Sequence, residues 1–494
     1  MEVSAGPLAE PGWIAIKHEN AISYTRPLAG SEILMYALHD RDDGMGDVCF
    51  GTTFSTNLEP DTLGQRIRTA LCYLRFVAPL LGATIEQDGC DPVQYWWRYT
   101  PVTTVQDVER WAVHSLEILH DKIDPDVFVT EIVSKRLPYI HPDGVRQHWR
   151  LYLLTNSLQG KFSVFIHGVH AIFDGNSNTN FLRILFEEVT LCDVTHGADR
   201  LSWGEEWRNL PPGPVTATGG HLLNWESEGV PMLRRWQTLR TNDITSRQEV
   251  QNVGVIMRIC DVLNAETSSR ILNGLKTVGH TITRLLEAAF ILAMFELNPV
   301  LGVPAKDAHV TLDLTFIALT KYLVPPYNRP SHITSTSVVV PLIVPFSTFD
   351  TQDGPRAKLC CIMDRLQEEY SHYLSNPHLP HLTANIFASK PLRVPPSETW
   401  KNPAALMITN VGLIDGRLPL RYSCSDSHAE CHIDVEDVAF SNRWSHSARP
   451  LVHMWTMRGK VHFQVIGTDV WDETYMREYL RRAVDLVNTF ANDR

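Results

Sequence analysis

The sequence lacks the patterns that define several large classes of protein. Its longest apolar stretches are interrupted, one by Glu287 and Glu296 and another by Pro341 and Pro345, so neither is typical of a membrane span. The amino terminus has no basic segment followed by an apolar one, which argues against a signal peptide. The nine cysteines include no CxxC pair, so we expect reduced thiols. Together these absences predict a cytoplasmic protein.

Several catalytic and ligand-binding motifs are also missing. The chain contains no GxSxG elbow of a serine hydrolase, and neither of the glycine-rich nucleotide motifs, GxGxxG and GxxxxGKS/T. The formal net charge of −12 argues against a general affinity for nucleic acid or anionic membranes, although it leaves room for a local basic pocket. We therefore expect neither a nucleic-acid partner nor a membrane partner.

The composition describes a folded protein with more than one core. Hydrophobic residues make up 44% and charged residues 20% of the 494 positions, and this length exceeds what one ordinary core holds. Helical and strand-like periodicities alternate without repeats, which predicts an α/β fold. We expect an N-terminal subdomain at 1–200, a crossover rich in Gly, Pro and Trp at 201–250, and a C-terminal subdomain at 251–494, in a monomer.

One short motif differs from its other occurrences by its surroundings. A histidine followed four residues later by an aspartate occurs four times, at His39–Asp43, His120–Asp124, His170–Asp174 and His309–Asp313. We interpret the first as a charged loop, the second as a connection between helices, and the fourth as one face of a strand. Only HAIFDG at 170–175 follows an apolar, strand-like stretch and precedes a helical one. This context favours a chemical role for His170.

The histidine and aspartate of this motif allow two interpretations. A neutral imidazole at a strand end can remove a proton from an alcohol or amine, while Asp174 turns back and fixes the loop. Gly175 permits close approach of the backbone, and the start of the next helix offers N–H groups to a developing anion. Alternatively, His170 and Asp174 are core polar groups that bond to the backbone.

The motif and its surroundings resemble the superfamily of CoA-dependent acyltransferases. The segments that carry the resemblance are HAIFDG at 170–175, GHTITRLLEAAFILAM at 279–294, TKYLVPPYNRP at 320–330 and ITNVGLIDG at 408–416. This superfamily includes chloramphenicol acetyltransferase, the plant BAHD acyltransferases and the condensation domains of nonribosomal peptide synthetases. Within it, the chain most resembles the fungal secondary-metabolite O-acyltransferases, such as the trichothecene 15-O-acetyltransferases.

The resemblance implies two chloramphenicol-acetyltransferase-like subdomains with mixed sheets and an active-site tunnel at their interface. It implies that His170 is the general base, that Asp174 supports the site structurally, and that Gly175, Thr409 and Asn410 bind substrate. The implied reaction moves an acyl group, acetyl or another short chain, from acyl-CoA to a hydroxyl of a hydrophobic small molecule in secondary metabolism. Acyl-CoA is then a co-substrate, more expected than an acyl carrier protein, and no tightly bound cofactor is implied.

The chain departs from the family patterns at three points. Val169 stands where condensation domains carry a second histidine, which disfavours peptide-bond formation, and His167 lies further back. The DFGWG motif of the plant enzymes is absent. The arginine that often pairs with the family's aspartate is replaced in our alignment by Thr320, with Lys321 adjacent. A buried Asp174 therefore needs another partner.

Two other hypotheses stay open on the sequence alone. Cys424, His428, Cys431 and His432 lie within nine residues, a spacing that is shorter than structural zinc sites usually have. For this segment we expect a partly exposed loop and no metal. A chain with this fold could also bind a metabolite, or guide a cyclisation or isomerisation, without any acyl transfer.

Overall fold

The computed structural model describes most of the chain. The described residues are 10–19, 21–89, 94–141, 144–157, 160–191, 197–238, 255–297, 308–388, 405–424, 431–444, 450–469 and 471–491.

Strands and helices are mixed along the whole chain. The strands are β1 (Ile14–Lys17), β2 (Ile22–Pro27), β3 (Val48–Thr56), β4 (Thr84–Gln87), β5 (Tyr95–Tyr99), β6 (Leu116–Leu119), β7 (Tyr139–Ile140), β8 (Arg146–Gln147), β9 (Trp149–Leu154), β10 (Phe162–Gly168), β11 (Ile256–Leu263), β12 (His309–Ala318), β13 (Ser337–Pro345), β14 (Ala405–Leu413), β15 (Arg421–Ser423), β16 (His432–Asn442), β17 (Leu451–Met457) and β18 (Lys460–Thr468). The α-helices are α1 (Ser31–Arg41), α2 (Pro60–Val77), α3 (Val105–Ser115), α4 (Pro125–Ile132), α5 (Gly175–Thr190), α6 (Pro214–Ala217), α7 (Val230–Thr238), α8 (Ala265–Val278), α9 (Ile282–Leu297), α10 (Pro355–Leu374), α11 (Leu379–Ala388) and α12 (Glu473–Asn488). The predicted α/β class is confirmed.

The first large sheet has six strands in the order β15-β16-β3-β10-β9-β6. Only β6 and β9 are parallel neighbours in it, so the sheet is mixed. Strands β15 and β16 come from residues 421–442, which means that a late part of the chain completes the sheet of the first half. The division at residues 200 and 250 stays a prediction, and these two strands cross it.

The second large sheet also has six strands, in the order β11-β18-β17-β14-β12-β13. Strand β14 runs parallel to both its neighbours, and the other pairs are antiparallel. Helices α9, α10 and α12 pack together, and α10 also packs against β13. Two smaller sheets, β1-β2-β5-β4 and β7-β8, belong to the first half.

Periodicity predicted the long elements well. The apolar stripe of Leu63, Ile67, Leu71 and Leu74 is buried along α2, as expected for an amphipathic helix. The two apolar stretches before the HAIFDG motif form the neighbouring antiparallel strands β9 and β10. The helix after the motif is present as α5, and the last predicted helix is α12.

Three smaller expectations were wrong. His39 does not lie in a charged loop: it belongs to α1 and is buried, because its Nδ1 atom bonds Asp47. The cysteines are not all reduced, since Cys424 is disulfide-bonded. The crossover is more regular than its composition suggests. Its described part, up to residue 238, contains α6, a π-helical turn at Trp225–Gly229 and α7, whereas residues 239–254 lie outside the described residues.

Within the described ranges, no single helix is both long and apolar enough to cross a membrane. Helices α8 and α9 meet the length and composition criteria only as a pair, and a bend of 96° separates them.

Candidate active site

The candidate site begins where β10 ends. After Gly168 the chain makes a tight turn, in which the N–H groups of Ile172 and Phe173 donate to the carbonyl of Val169 at 3.1 and 3.2 Å. The turn is enclosed by apolar side chains, since Ala171, Ile172 and Phe173 are all fully buried. His170 stands at the start of this turn and is half-buried. A buried strand therefore ends by presenting one imidazole at the edge of the core.

Asp174 is the N-cap of α5 and forms a reciprocal capping box with Ser177. Its Oδ1 atom accepts from the backbone N–H groups of Asn176 and Ser177 at 2.9 and 2.8 Å, and from the Ser177 hydroxyl at 2.9 Å. The backbone N–H of Asp174 donates in turn to Ser177 Oγ at 2.6 Å. All the hydrogen bonds of Oδ1 are thus made within the N-terminal cap of α5.

The other carboxylate oxygen joins the two halves of the chain. Asp174 Oδ2 accepts from the backbone N–H of Thr336 at 2.9 Å, just before β13. Beside this bond, the N–H of Ser335 donates to the carbonyl of Ala171 at 3.3 Å. The Ser31 hydroxyl also donates to the carbonyl of Ser335, at 3.3 Å. The loop that carries His170 is therefore fastened directly to the second half.

These contacts correct two sequence expectations about Asp174 and its helix. The carboxylate does not need a cation within bonding distance, because four donors satisfy it. Thr320 and Lys321 lie in a short 3₁₀-helix, and neither bonds to Asp174. The start of α5 also has fewer free N–H groups for a developing anion than expected, because two of them already donate to Asp174.

The imidazole of His170 faces the second large sheet. Its ring stacks on Phe316 of β12, with centroids 6.3 Å apart and planes inclined by 21°. Its Nδ1 atom is buried and makes no hydrogen bond of ordinary geometry. Its Nε2 atom has no partner among the described residues and is not among the buried atoms. One ring nitrogen is therefore available to a molecule that enters between the halves.

Burial lowers the pKa of His170 below its ordinary value. Asp174, the backbone carbonyl of His170 itself and Asp47 each raise the pKa and so oppose this effect. Asp47 is fully buried and lies 2.9 Å from Nδ1 of His39. A histidine with this balance is neutral at neutral pH, which is the form that can accept a proton.

Strands β14 and β17 approach the same imidazole from the second half. Thr409 of β14 is the register neighbour of His453 of β17. Burial, and then the nearby His170, lower the pKa of His453 to about 3. His453 is therefore a neutral neighbour of His170, and Thr409 stands beside it on the sheet. No local pattern in the sequence indicates His453.

A bulge in β14 shapes the next part of the site. Asn410 donates from Nδ2 to Thr283 Oγ1 at 2.8 Å and accepts at Oδ1 from the N–H of Gly412 at 2.7 Å. Between them, a methyl group of Val411 lies 3.3 Å from the position that a Cβ on Gly175 would take. Gly175 is thus placed where the two halves touch, with little room for a side chain.

The carbonyl of Val411 accepts a hydrogen bond from Arg417. Burial lowers the pKa of Arg417, while the nearby Asp174 raises it. Arg417 therefore interacts electrostatically with Asp174, but the two side chains do not form an ion pair. The sequence does not indicate Arg417, because only the fold of residues 411–417 brings it near the motif.

His167 has the environment of a structural residue. It is fully buried in β10, and its Nδ1 atom lies 2.6 Å from the hydroxyl of Tyr139, which itself lies 2.7 Å from the Tyr152 hydroxyl. Burial lowers the pKa of His167 to about 3. This side chain is enclosed by the first sheet and is not presented to the second.

The other HxxxD pairs have different surroundings. Asp43 forms ion pairs with Arg443 and Arg136. Asp124 is the N-cap of α4, where it accepts from the N–H of Asp126. The fourth pair begins β12, as predicted, but the side chain of Asp313 lies outside the described residues.

The Cys/His segment that suggested zinc does not assemble a ligand set in the part of the chain that the structure describes. Cys424 is disulfide-bonded, Cys431 is a buried free thiol, and His432 lies 3.9 Å from Asp434. His428 lies outside the described residues.

Solved structures show what this architecture resembles. The trichothecene 15-O-acetyltransferase from Fusarium sporotrichioides matches 99% of this chain and 100% of its own, with a TM-score of 0.82 and 16% identity. The same fold is found, at lower similarity, in an epimerization domain and in condensation domains. This chain thus has two chloramphenicol-acetyltransferase-like subdomains with mixed sheets, as expected from the sequence.

Other solved structures match this chain with lower TM-scores. Polyketide synthase associated protein 5 from Mycobacterium tuberculosis has a TM-score of 0.57 at 14% identity, over 94% of this chain and 98% of its own. The condensation domain of the monacolin K polyketide synthase has a TM-score of 0.59 at 11% identity, over 97% and 98%. No protein-family model and no curated protein matches the sequence. At these identities the comparisons establish the fold alone.

Proposed function

We propose that this protein transfers an acyl group, acetyl or another short chain, from acyl-CoA to a hydroxyl of a hydrophobic small molecule, with His170 as the general base. The observation that carries the proposal is the state of His170. Its imidazole is half-buried between the two large sheets, has a lowered pKa and keeps an accessible Nε2 atom without a partner. A general base needs this combination of neutrality and access.

The reaction follows from these groups. Nε2 of His170 takes the proton from the acceptor hydroxyl while the oxygen forms a bond to the thioester carbonyl carbon. The carbonyl becomes an oxyanion, which a preorganised donor stabilises. We assign this role to a group on the 409–417 segment, because that segment meets Gly175 beside the base. The C–S bond then breaks, and the imidazolium returns its proton to the departing CoA thiolate.

Asp174 supports this chemistry without taking part in it. Both of its oxygens are committed, one to the start of α5 and the other to Thr336. It therefore fixes the position of His170 relative to the second half. The donor is acyl-CoA in preference to an acyl carrier protein, the acceptor is an apolar alcohol of secondary metabolism, and the active unit is a cytoplasmic monomer without a tightly bound cofactor.

The transfer is direct, through a complex that contains both substrates. Cys49, the register neighbour of His167, is not expected to form an acyl-enzyme, because burial raises its pKa well above the ordinary value and keeps it a thiol. We expect intact-protein mass spectrometry to show no adduct after mixing with acyl-CoA alone. A stable acyl adduct on a residue required for turnover contradicts the direct transfer.

The proposal is tested by incubating the protein with acetyl-CoA and a panel of apolar alcohols. Release of free CoA thiol is followed in time, and the acylated product is identified by mass spectrometry. We expect both signals to depend on the alcohol. Binding of an alcohol without thiol release from acetyl-CoA or short acyl-CoAs supports instead a fold that binds or rearranges a metabolite.

A further inference from the structure

A second concave site lies entirely within the first half of the chain. It has a volume of about 860 Å³ and is bordered by α1, the end of α2, the 3₁₀-helix Pro79–Gly82, strands β4 and β5, α3 and the β7-β8 hairpin. Its lining residues run from 36 to 147 and include neither the His170 turn nor any residue of the second half. The cavity is therefore distinct from the candidate active site.

Arg75 is the unusual member of its lining. The side chain is 8% exposed, and its guanidinium lies 4.7 Å from the ring centroid of Trp111 and 5.8 Å from that of Tyr99. Among the described residues it forms no ion pair, and its Nε atom has no hydrogen-bond partner. Glu206, the nearby carboxylate, instead accepts from Tyr99 and from two backbone N–H groups at 2.7 Å each.

The backbone at Gly82 packs closely against the Arg75 guanidinium. A Cβ atom on Gly82 would come within 2.5 Å of the Cζ atom of Arg75, so only glycine at position 82 leaves room for the guanidinium. Position 75 is also in the last turn of α2, where the helix dipole favours a positive charge. Aromatic faces and a helix end reduce the cost of the buried charge, and the Tyr99 hydroxyl bonds to the guanidinium, but the Nε atom still has no hydrogen-bond partner.

The two carboxylates of the lining, Asp40 and Glu86, bond to groups other than Arg75. Arg98 is already paired with Glu86 through two bonds at 3.0 and 3.1 Å, and Asp40 accepts from the Tyr95 hydroxyl at 3.0 Å. Arg146 lines the same cavity, is exposed and has no partner among the described residues. Arg75 and Arg146, neither of which forms an ion pair among the described residues, thus share one cavity, whose other lining includes Tyr36, Leu81, Ile85 and Trp111.

We propose that this cavity, hereafter the Arg75 cavity, binds a small organic anion through a carboxylate or phosphate group. A buried cation is stable when it is paired and hydrogen-bonded, and a guanidinium binds either group with two parallel bonds. The anionic group pairs with Arg75, Arg146 stabilises it from the rim, and the apolar body of the ligand packs on Tyr36 and Trp111. The binding does not depend on acyl transfer at His170.

The test measures binding to the full chain with two anionic probes. Benzoate represents an aromatic carboxylate, inorganic phosphate represents a phosphate group, and benzyl alcohol is the uncharged counterpart of benzoate. Sodium chloride at matched ionic strength controls for general salt effects. Titration calorimetry and thermal melts are recorded for the parent, for Arg75→Gln and for Arg98→Gln, the matched control whose arginine lines the same cavity but is already paired.

We expect at least one anion to bind the parent and raise its melting temperature, while benzyl alcohol binds roughly tenfold more weakly or not at all. Arg75→Gln should weaken anion binding by roughly tenfold or more, and Arg98→Gln should keep it. Preference for benzoate or for phosphate identifies the anionic group. The proposal fails if neither anion binds, if Arg75→Gln binds as well as the parent, or if Arg75→Gln only lowers the melting temperature with no anion effect in the parent.

Discussion

His170 and Asp174 differ in how their polar atoms are bonded, which fits the proposed chemical role of His170 and structural role of Asp174. The imidazole keeps an unpaired Nε2 atom, whereas every oxygen of the carboxylate is bonded. The sequence singled out both residues, because a strand, a glycine and a helix surround only this HxxxD pair, and the role of His170 as the base stays a prediction. Thr336, Asp47 and His453 could not be found in the same way, since each is near His170 only through the packing of distant segments.

The lowered pKa of His170 predicts the pH dependence of turnover. Because burial favours the neutral imidazole, the base is active at and above neutral pH, and kcat/KM falls only as the pH drops below the ordinary histidine value of about 6.5. Rates of thiol release between pH 5 and 9 measure this fall of kcat/KM at acidic pH. An acidic limb with its midpoint well above pH 7 contradicts the assignment of a neutral, buried base.

Replacing Asp174 should affect both stability and turnover. Asp174→Ala leaves the N–H groups of Asn176, Ser177 and Thr336 without their acceptor, which costs about 2 kcal/mol or more. Ser177→Ala is the matched control, since it weakens the capping box but leaves the bond to Thr336. Thermal melts and turnover are measured for both. If Asp174→Ala melts like the parent and is inactive, the aspartate acts in the chemistry.

At the scale of elements, the β14 bulge carries the second half of the site. Asn410 holds the bulge through Thr283 of α9 and the N–H of Gly412, and this places Val411 against Gly175. The resemblance to the acyltransferases predicted that residues 408–416 lie at the site. It did not show that Asn410 bonds to protein groups, because the partner at 283 is 127 residues away.

Asn410→Ala should therefore loosen the site from the side opposite His170. The change removes two hydrogen bonds and leaves the Gly412 N–H unpaired, which costs on the order of 1–3 kcal/mol, and it should also lower turnover. Thr283→Val removes only one of these bonds and should have the smaller effect on both. Full turnover and a parental melting temperature in Asn410→Ala would exclude a positioning role.

Long amphipathic helices and apolar strands were predictable because their periodicity is local. The four-stranded sheet β1-β2-β5-β4 was missed: its strands have only four to six residues each, too few for a clear period. The addition of β15 and β16 to the first sheet was missed for another reason. Phe440 of β16 and Phe50 of β3 are register neighbours although they are hundreds of positions apart in the sequence. No local pattern predicts that two such distant strands pair.

On the scale of the whole molecule, the two halves are joined at the site itself. Asp174 bonds to Thr336 across the junction, Phe316 stacks on His170, and strand β16 extends the first sheet. His170 and the groups that face it therefore belong to different halves, and the proposed reaction takes place where these halves meet. The function proposed here depends on this arrangement, with His170 as its centre.

The most direct measurement compares thiol release from acetyl-CoA by the parent and by His170→Ala, with a responsive alcohol present. His170 makes no hydrogen bond that the fold needs, so the variant should melt like the parent. Loss of a general base should lower turnover by roughly 10²–10⁴-fold. A folded His170→Ala protein that turns over like the parent would contradict the account.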